Sequence, residues 1–231
     1  MNFQRFARAA SARVRSSPRF RVLPALAALA LAAVLSLSAG TVRAGGAVRI
    51  VALGDSLMAG YSLPPGAGFP DRLQAELRAR GHDVTIHNAG VSGDTSRGGR
   101  ARLDWSVGKD ADAVMVELGA NDALRGIDPK TTRKNLDAIL GKLKAAGKKV
   151  LLIGMRAPPN MGEAYTEEFD RIYPELATKH GVLLYDFFLD GVASHPEFNL
   201  ADGKHPNEKG IAIMVERILP VVEKLIAQTK K

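Results

Sequence analysis

Five apolar runs of strand length recur along this chain: VRIVAL (48–53), DVTIHN (83–88), AVMVEL (113–118), KVLLIG (149–154) and GVLLYD (181–186). Longer segments with helical spacing lie between and after them. FPDRLQAELRARG places Phe69, Leu73 and Leu77 on one face, and Gly81 ends it. DPKTTRKNLDAILGKLKAAG offers Asp128 as an N-cap, Pro129 at the first helical position and Gly147 past the last turn. YTEEFDRIYPELATKHG groups Phe169, Ile172 and Leu176, and Pro174 inside it predicts a helix that is kinked or starts late. PNEKGIAIMVERILPVVEKLIAQ predicts a final helix with a bend or a break at Pro220. Strands alternating with helices predict an α/β fold with a mostly parallel five-stranded sheet. The near-continuous apolar strands agree, because a parallel sheet is covered on both faces. In such sheets sites form beyond the carboxyl ends of the strands. Each strand is therefore read at its exit.

The first 44 residues stand apart. They hold seven arginines (5, 8, 13, 15, 19, 21 and 43) and no acid, and VLPALAALALAAVLSLSAGTV fills the space between the last two. A basic stretch, an apolar run and the small-residue site Val42–Arg43–Ala44 have the form of a secretory signal, with cleavage after Ala44. An uncleaved membrane anchor is the competing reading, since the run approaches a bilayer span; its alanine content and the site that follows favour cleavage. The chain carries a formal charge of +8, with 32 basic and 24 acidic residues. Removing the signal leaves 25 basic against 24 acidic residues, so the basic character belongs to the signal and implies no nucleic-acid partner. KAAGKK (144–149) reads as a solvated helix end. The remaining stretch, 45–231, suits one domain. The absence of cysteine excludes a disulfide framework, a thiol nucleophile and a lipidated cysteine after the signal. The mature protein is expected to be exported, monomeric and free in its compartment.

The first strand exits into GDSL, the second into NAGVSGDTS (88–96), the third into LGANDALRG (118–126) and the fourth into GMRAPPNMG (154–162). ADGKHPNEKG (201–210) precedes the last helix. Hydrolysis by a serine needs a nucleophile, a base, an orienting acid and oxyanion donors. Ser56, at a strand-to-loop turn behind Gly54, is the candidate nucleophile. Among five histidines, His82 falls in a turn, His87 in a strand and His180 at a helix end, and His195 has no acid three residues before it. His205 has one, Asp202, at a spacing that lets a loop bring the carboxylate to the imidazole Nδ1. Oxyanion donors are the Ser56 amide, the Gly93 amide and the Asn121 side chain. Asp55 is read as holding the turn, with no direct chemistry. Taken singly, GDS is a common turn, DGxH a surface loop and Asn121 a cap; their weight comes from occurring together at several exits. No HExxH or cysteine cluster is present, so no metal is expected, and no GxGxxG or phosphate-loop lysine supports a nucleotide-binding module.

GDSL (54–57), Gly93 in VSGDT, GAND (119–122) and DGKHP (202–206) resemble the four blocks of the SGNH (GDSL) hydrolases. The resemblance spans roughly Val48 to Leu225. It is greatest to the exported bacterial branch with acyl-CoA thioesterase, arylesterase and lysophospholipase activities. It implies a flavodoxin-like three-layer α/β/α sandwich and a catalytic triad of Ser56, His205 and Asp202. It implies an oxyanion hole of Ser56, Gly93 and Asn121, and no cofactor. The expected substrate is a small-molecule or lipid ester or thioester with an apolar acyl group. A carbohydrate O-acetylesterase of the same fold is the alternative. Leu57 and Met58 after the nucleophile, Leu124 and Ile127 after Asn121, and Pro158, Pro159 and Met161 after the fourth strand are candidates to line an acyl groove.

Overall fold

The computed structural model describes residues 46–230. The expected signal segment, 1–44, and its cleavage site lie outside the described residues. Five strands, β1 (Val48–Gly54), β2 (Val84–Gly90), β3 (Ala113–Glu117), β4 (Lys149–Ile153) and β5 (Leu183–Tyr185), form one sheet in the order β2-β1-β3-β4-β5. Every neighbouring pair is parallel. Nine α-helices are described: α1 (Ser56–Ala59), α2 (Phe69–Ala79), α3 (Ser96–Ala101), α4 (Leu103–Ser106), α5 (Ala120–Leu124), α6 (Pro129–Ala145), α7 (Glu163–Asp170), α8 (Ile172–His180) and α9 (Glu208–Thr229). Helices α2 and α9 pack together on one face of the sheet, and α3, α6 and α8 on the other. Both faces are thereby covered, which is why all five residues of β3 are buried.

The helices begin and end where local chemistry dictates. Phe69, Leu73 and Leu77 of α2 are fully buried, each worth about 1.5–3 kcal/mol of apolar transfer. Asp128 caps α6 by accepting from the Lys130 amide at 2.8 Å, Pro129 follows it, and Gly147 turns left-handed at φ 71° beyond the end. The segment around Pro174 divides at Arg171 into α7 and α8, so the second helix starts late and the proline sits in its first turn, where it costs no hydrogen bond. Of the bend or break expected at Pro220, the break does not occur: α9 runs unbroken for 22 residues. Pro220 and Glu216, whose carbonyl the proline leaves without its helical donor, both lie on the exposed face, open to solvent.

β1 lies between β2 and β3, so the chain turns to one side after β1 and to the other after β2. Its carboxyl end is the topological switch point, the place where crevices open in sheets of this kind. β1 and β2 end level, with Gly54 opposite Gly90. A Cβ on Gly90 would stand 2.4 Å from the Ala59 nitrogen, so the glycine is what lets α1 lie across the end of β2.

Candidate active site

Asp55 leaves β1 and caps α1, accepting from the Leu57 amide at 3.0 Å. This single turn presents Ser56 at its start, and Gly60 closes it in the left-handed conformation. A second loop approaches from the far end of the chain. Asp202 Oδ1 accepts from the amides of Lys204 at 2.9 Å and His205 at 3.0 Å, which folds the Asp202–His205 turn around the carboxylate. Asn199 steadies the preceding stretch by donating to the Val192 and His195 carbonyls, both at 2.8 Å. His205 Nδ1 stands 2.6 Å from Asp202 Oδ2, and His205 Nε2 stands 2.9 Å from Ser56 Oγ. Asp202 only accepts, which assigns the proton to Nδ1 and leaves Nε2 to accept the serine hydroxyl. The His205 and Lys204 amides, followed by the His205 ring, hold the Asp202 carboxyl down at about 2. It stays ionised across the range in which the imidazole can act. His195 lies elsewhere, beside Glu197 and Phe198.

The exits of β2 and β3 supply the rest. Asn121, in the first turn of α5, donates from Nδ2 to Asp55 Oδ2 at 3.1 Å and to the Asp94 carbonyl at 3.0 Å. Its amide is aimed by the first two strand exits together. Gly93 sits on the adjoining turn with φ 82°, and its carbonyl accepts from Arg125 Nη2 at 2.8 Å. A cleft of about 590 Å³ opens on Ser56, Asn121 and His205. Leu57, Leu124 and Pro158 of the expected groove line it, with Pro159. Met155, from the same fourth-strand exit, joins them, as do Phe187 and Leu189 from a segment the sequence did not single out. Ile127 and Met161 do not line it. The Ile127 carbonyl accepts from the Tyr165 hydroxyl at 2.8 Å, and the Met161 methyl stands 3.6 Å from where a Cβ on Gly126 would be. Met58 is wholly buried in the core. Arg156 and Lys204 also line the cleft, and among the described residues no acidic one does.

Several site-supporting residues escaped the sequence reading. Glu117, the last residue of β3, is completely buried beside Asp55 and accepts from the Asp55 amide at 3.2 Å; its Oε1 has no partner among the described residues. Burial, and then the charge of Asp55, push the Glu117 carboxyl well up. Burial likewise raises Asp55 to about 6, against the opposing pull of the Leu57 amide and Asn121. One carboxylate charge is the most this pair holds comfortably. Asp122, next to Asn121, points the other way and accepts from the Ser96 amide at 2.7 Å and the Ser96 hydroxyl at 2.5 Å, tying α5 to α3. Arg102 is buried and reaches Asp94 Oδ2 at 2.5 Å, the Ala89 carbonyl at 2.7 Å and the Gly54 carbonyl at 2.8 Å, bracing the ends of β1 and β2. The one available signal was an acid closing the apolar run AVMVE directly before LGAND.

Residues 52–213 match the model of the GDSL-like Lipase/Acylhydrolase family. The chain belongs to that family. It is a GDSL-type serine esterase. It is 42% identical to an arylesterase of Vibrio mimicus over 158 residues, which are 68% of this chain and 79% of that one. It is 41% identical to thioesterase 1/protease 1/lysophospholipase L1 of Escherichia coli K12 over 159 residues, 68% of this chain and 75% of the relative. The crystal structure of TesA superposes with a TM-score of 0.73 at 38% identity, covering 77% of this chain and 99% of that one. The fold expected from the alternation of strands and helices is that of these hydrolases, with a sheet that is wholly parallel.

Proposed function

We propose that this esterase cleaves carboxylic esters and thioesters with an apolar acyl group through an acyl-enzyme on Ser56. The observation that carries the reading is the unbroken line from Asp202 through His205 to Ser56 Oγ, opening on an apolar cleft. In this reading Ser56 Oγ attacks the acyl carbon as its proton passes to His205 Nε2. Asp202 holds the ring in the right tautomer and stabilises the imidazolium. The imidazolium then returns the proton to the departing alkoxide or thiolate. A water, deprotonated by the same nitrogen, releases the acid. The Ser56 and Gly93 amides and the Asn121 side chain face the oxyanion. Asn121 gives one N–H to the neutral Asp94 carbonyl at rest. A developing oxyanion is the stronger acceptor and competes for that donor.

Leu57, Leu124, Pro158 and Phe187 support an apolar acyl chain, and Arg156 and Lys204 support a leaving group that carries negative charge. The names of the relatives, arylesterase and thioesterase/lysophospholipase, favour the same substrate classes. Export belongs to the reading and rests on the sequence of residues 1–44 alone.

The test is turnover of p-nitrophenyl esters of rising chain length by the protein lacking residues 1–44. Each methylene buried adds about 0.8 kcal/mol, roughly fourfold in kcat/KM until the cleft is full. Leu124→Ser flattens that rise, while Ile127→Ser, outside the cleft, leaves it. Ser56→Ala loses about 10³-fold or more in kcat, and an organophosphonate adds mass to the Ser56 peptide. An optimum at acetyl would defeat the long-acyl reading, and labelling at another serine would defeat the nucleophile.

A further inference from the structure

After α1 the chain does not run directly to α2. Gly60 takes φ 77°, and the Tyr61 amide donates back to the Ser56 carbonyl at 3.1 Å. Ser62 then adopts φ 56°, a left-handed conformation that a serine enters at some cost, and the Leu63 amide closes the turn on the Gly60 carbonyl at 3.1 Å. This double left-handed turn holds the Tyr61 ring against His205, with the centroids 4.3 Å apart and the planes 32° from parallel. Tyr61 is 45% exposed, so core packing does not require an aromatic ring here. The imidazole is thus engaged on both edges, by Asp202 at Nδ1 and Ser56 at Nε2, and on one face by Tyr61.

We infer that Tyr61 is a positioning residue for the His205 base, its ring face supporting the imidazolium that forms when His205 takes the Ser56 proton. The inference rests on the reading of His205 as the base. In that step the O–H bond of Ser56 breaks, the proton joins Nε2, and the oxygen electron pair forms the bond to the acyl carbon. The ring gains a full positive charge only then. The negative face of an aromatic ring attracts a cation and gains little from neutral imidazole. The contact therefore strengthens between ground state and transition state, which is the condition for raising kcat. The other charged groups facing the imidazole are Asp202, the buried Asp55 and, beside it in sequence, Lys204. None of them stacks on the imidazole as the Tyr61 ring does.

Three variants, Tyr61→Phe, Tyr61→Leu and His205→Ala, are compared on p-nitrophenyl butyrate, with kcat and KM measured across about pH 5 to 9. Phenylalanine keeps the ring face and retains the wild-type kcat. Leucine keeps bulk without the face, and kcat falls about two- to fivefold, the range of a cation–π contact at a partly exposed site. KM changes little, and the acid limb of kcat/KM moves to lower pH because the charged ring has lost support. Thermal unfolding confirms that Tyr61→Leu is folded, with Tyr61→Met in reserve. A leucine variant with wild-type kcat and pH profile overturns the inference. So does a change confined to KM, which would make Tyr61 a substrate contact, or a phenylalanine variant as impaired as leucine. Activity retained in His205→Ala instead overturns the underlying reading of the base; loss there with an unaffected leucine variant overturns the role of Tyr61 alone.

Discussion

Replacing Asp55 with asparagine separates the stability of this fold from its function. Asp55 is fully buried, and burial raises its carboxyl from 3.8 to about 6. A carboxyl whose folded value lies above its unfolded one favours the native state when protonated. That contribution is complete below about 3.8 and is lost as the pH rises through about 6. At 1.36 kcal/mol per unit, the interval amounts to roughly 3 kcal/mol of native-state stability forgone at pH 8. Asparagine never acquires the charge, and its carbonyl still accepts from the Leu57 amide. Its amide, however, stands where Oδ2 accepted from Asn121, and an orphaned N–H there costs about 1 kcal/mol. The net gain at pH 8 is roughly 2 kcal/mol, or about 4–8 °C in Tm for a domain of this size. Differential scanning calorimetry of both proteins from about pH 4 to 8 reads it directly. Glu117 is present in both proteins, but its carboxyl is pushed up partly by the Asp55 charge, so the difference reports the interacting pair, with Asp55 as the group removed. The Tm advantage of Asp55→Asn is expected to grow with pH between about 4 and 7, while kcat falls because Asn121 has lost one of the two groups that aim it. A Tm difference that is negative at pH 8, or flat with pH, would refute the account of Asp55 as a buried charge held for function.

Two further outcomes follow from the same geometry. Asn121→Ala is expected to lower kcat about 10²- to 10³-fold with a smaller change in KM, since its donor strengthens mainly against the oxyanion; steady-state kinetics that raised KM alone would make it a substrate contact. Gly54→Ala places a Cβ 2.6 Å from both Glu117 Oε2 and Met58 Cβ and 2.9 Å from the Glu117 carbonyl, so denaturant unfolding is expected to show a loss of about 1–3 kcal/mol, and wild-type stability would show that β1 and β3 can part there.

The sequence by itself determined what depends on neighbours a few residues away. Period and burial wrote the five strands, because a strand covered on both faces has no polar side to show. Asp128, Pro129 and Gly147 bounded α6 because a cap acts on the amides within its own first turn and a left-handed stop acts on its own backbone. Asp202 and His205 were legible as a pair because three residues are enough to close a turn around a carboxylate. The tertiary structure alone decided what depends on distant packing. Ser56 and His205 are 149 positions apart and meet only because the fold brings the loop before α9 to the exit of β1. Within the adjacent pair Asn121 and Asp122, the backbone of one helical turn sends the first side chain to Asp55 and the second to Ser96. Leu124 lines the cleft and Ile127 does not for the same reason: side-chain direction follows the local turn, which composition does not carry. The helix continues through Pro220 because the apolar residues on either side of it are buried in the core while the freed Glu216 carbonyl faces outward, and both are properties of the assembled fold. Glu117 was unreadable as a buried acid, since nothing within β3 states that Asp55 and Asn121 will stand beside it.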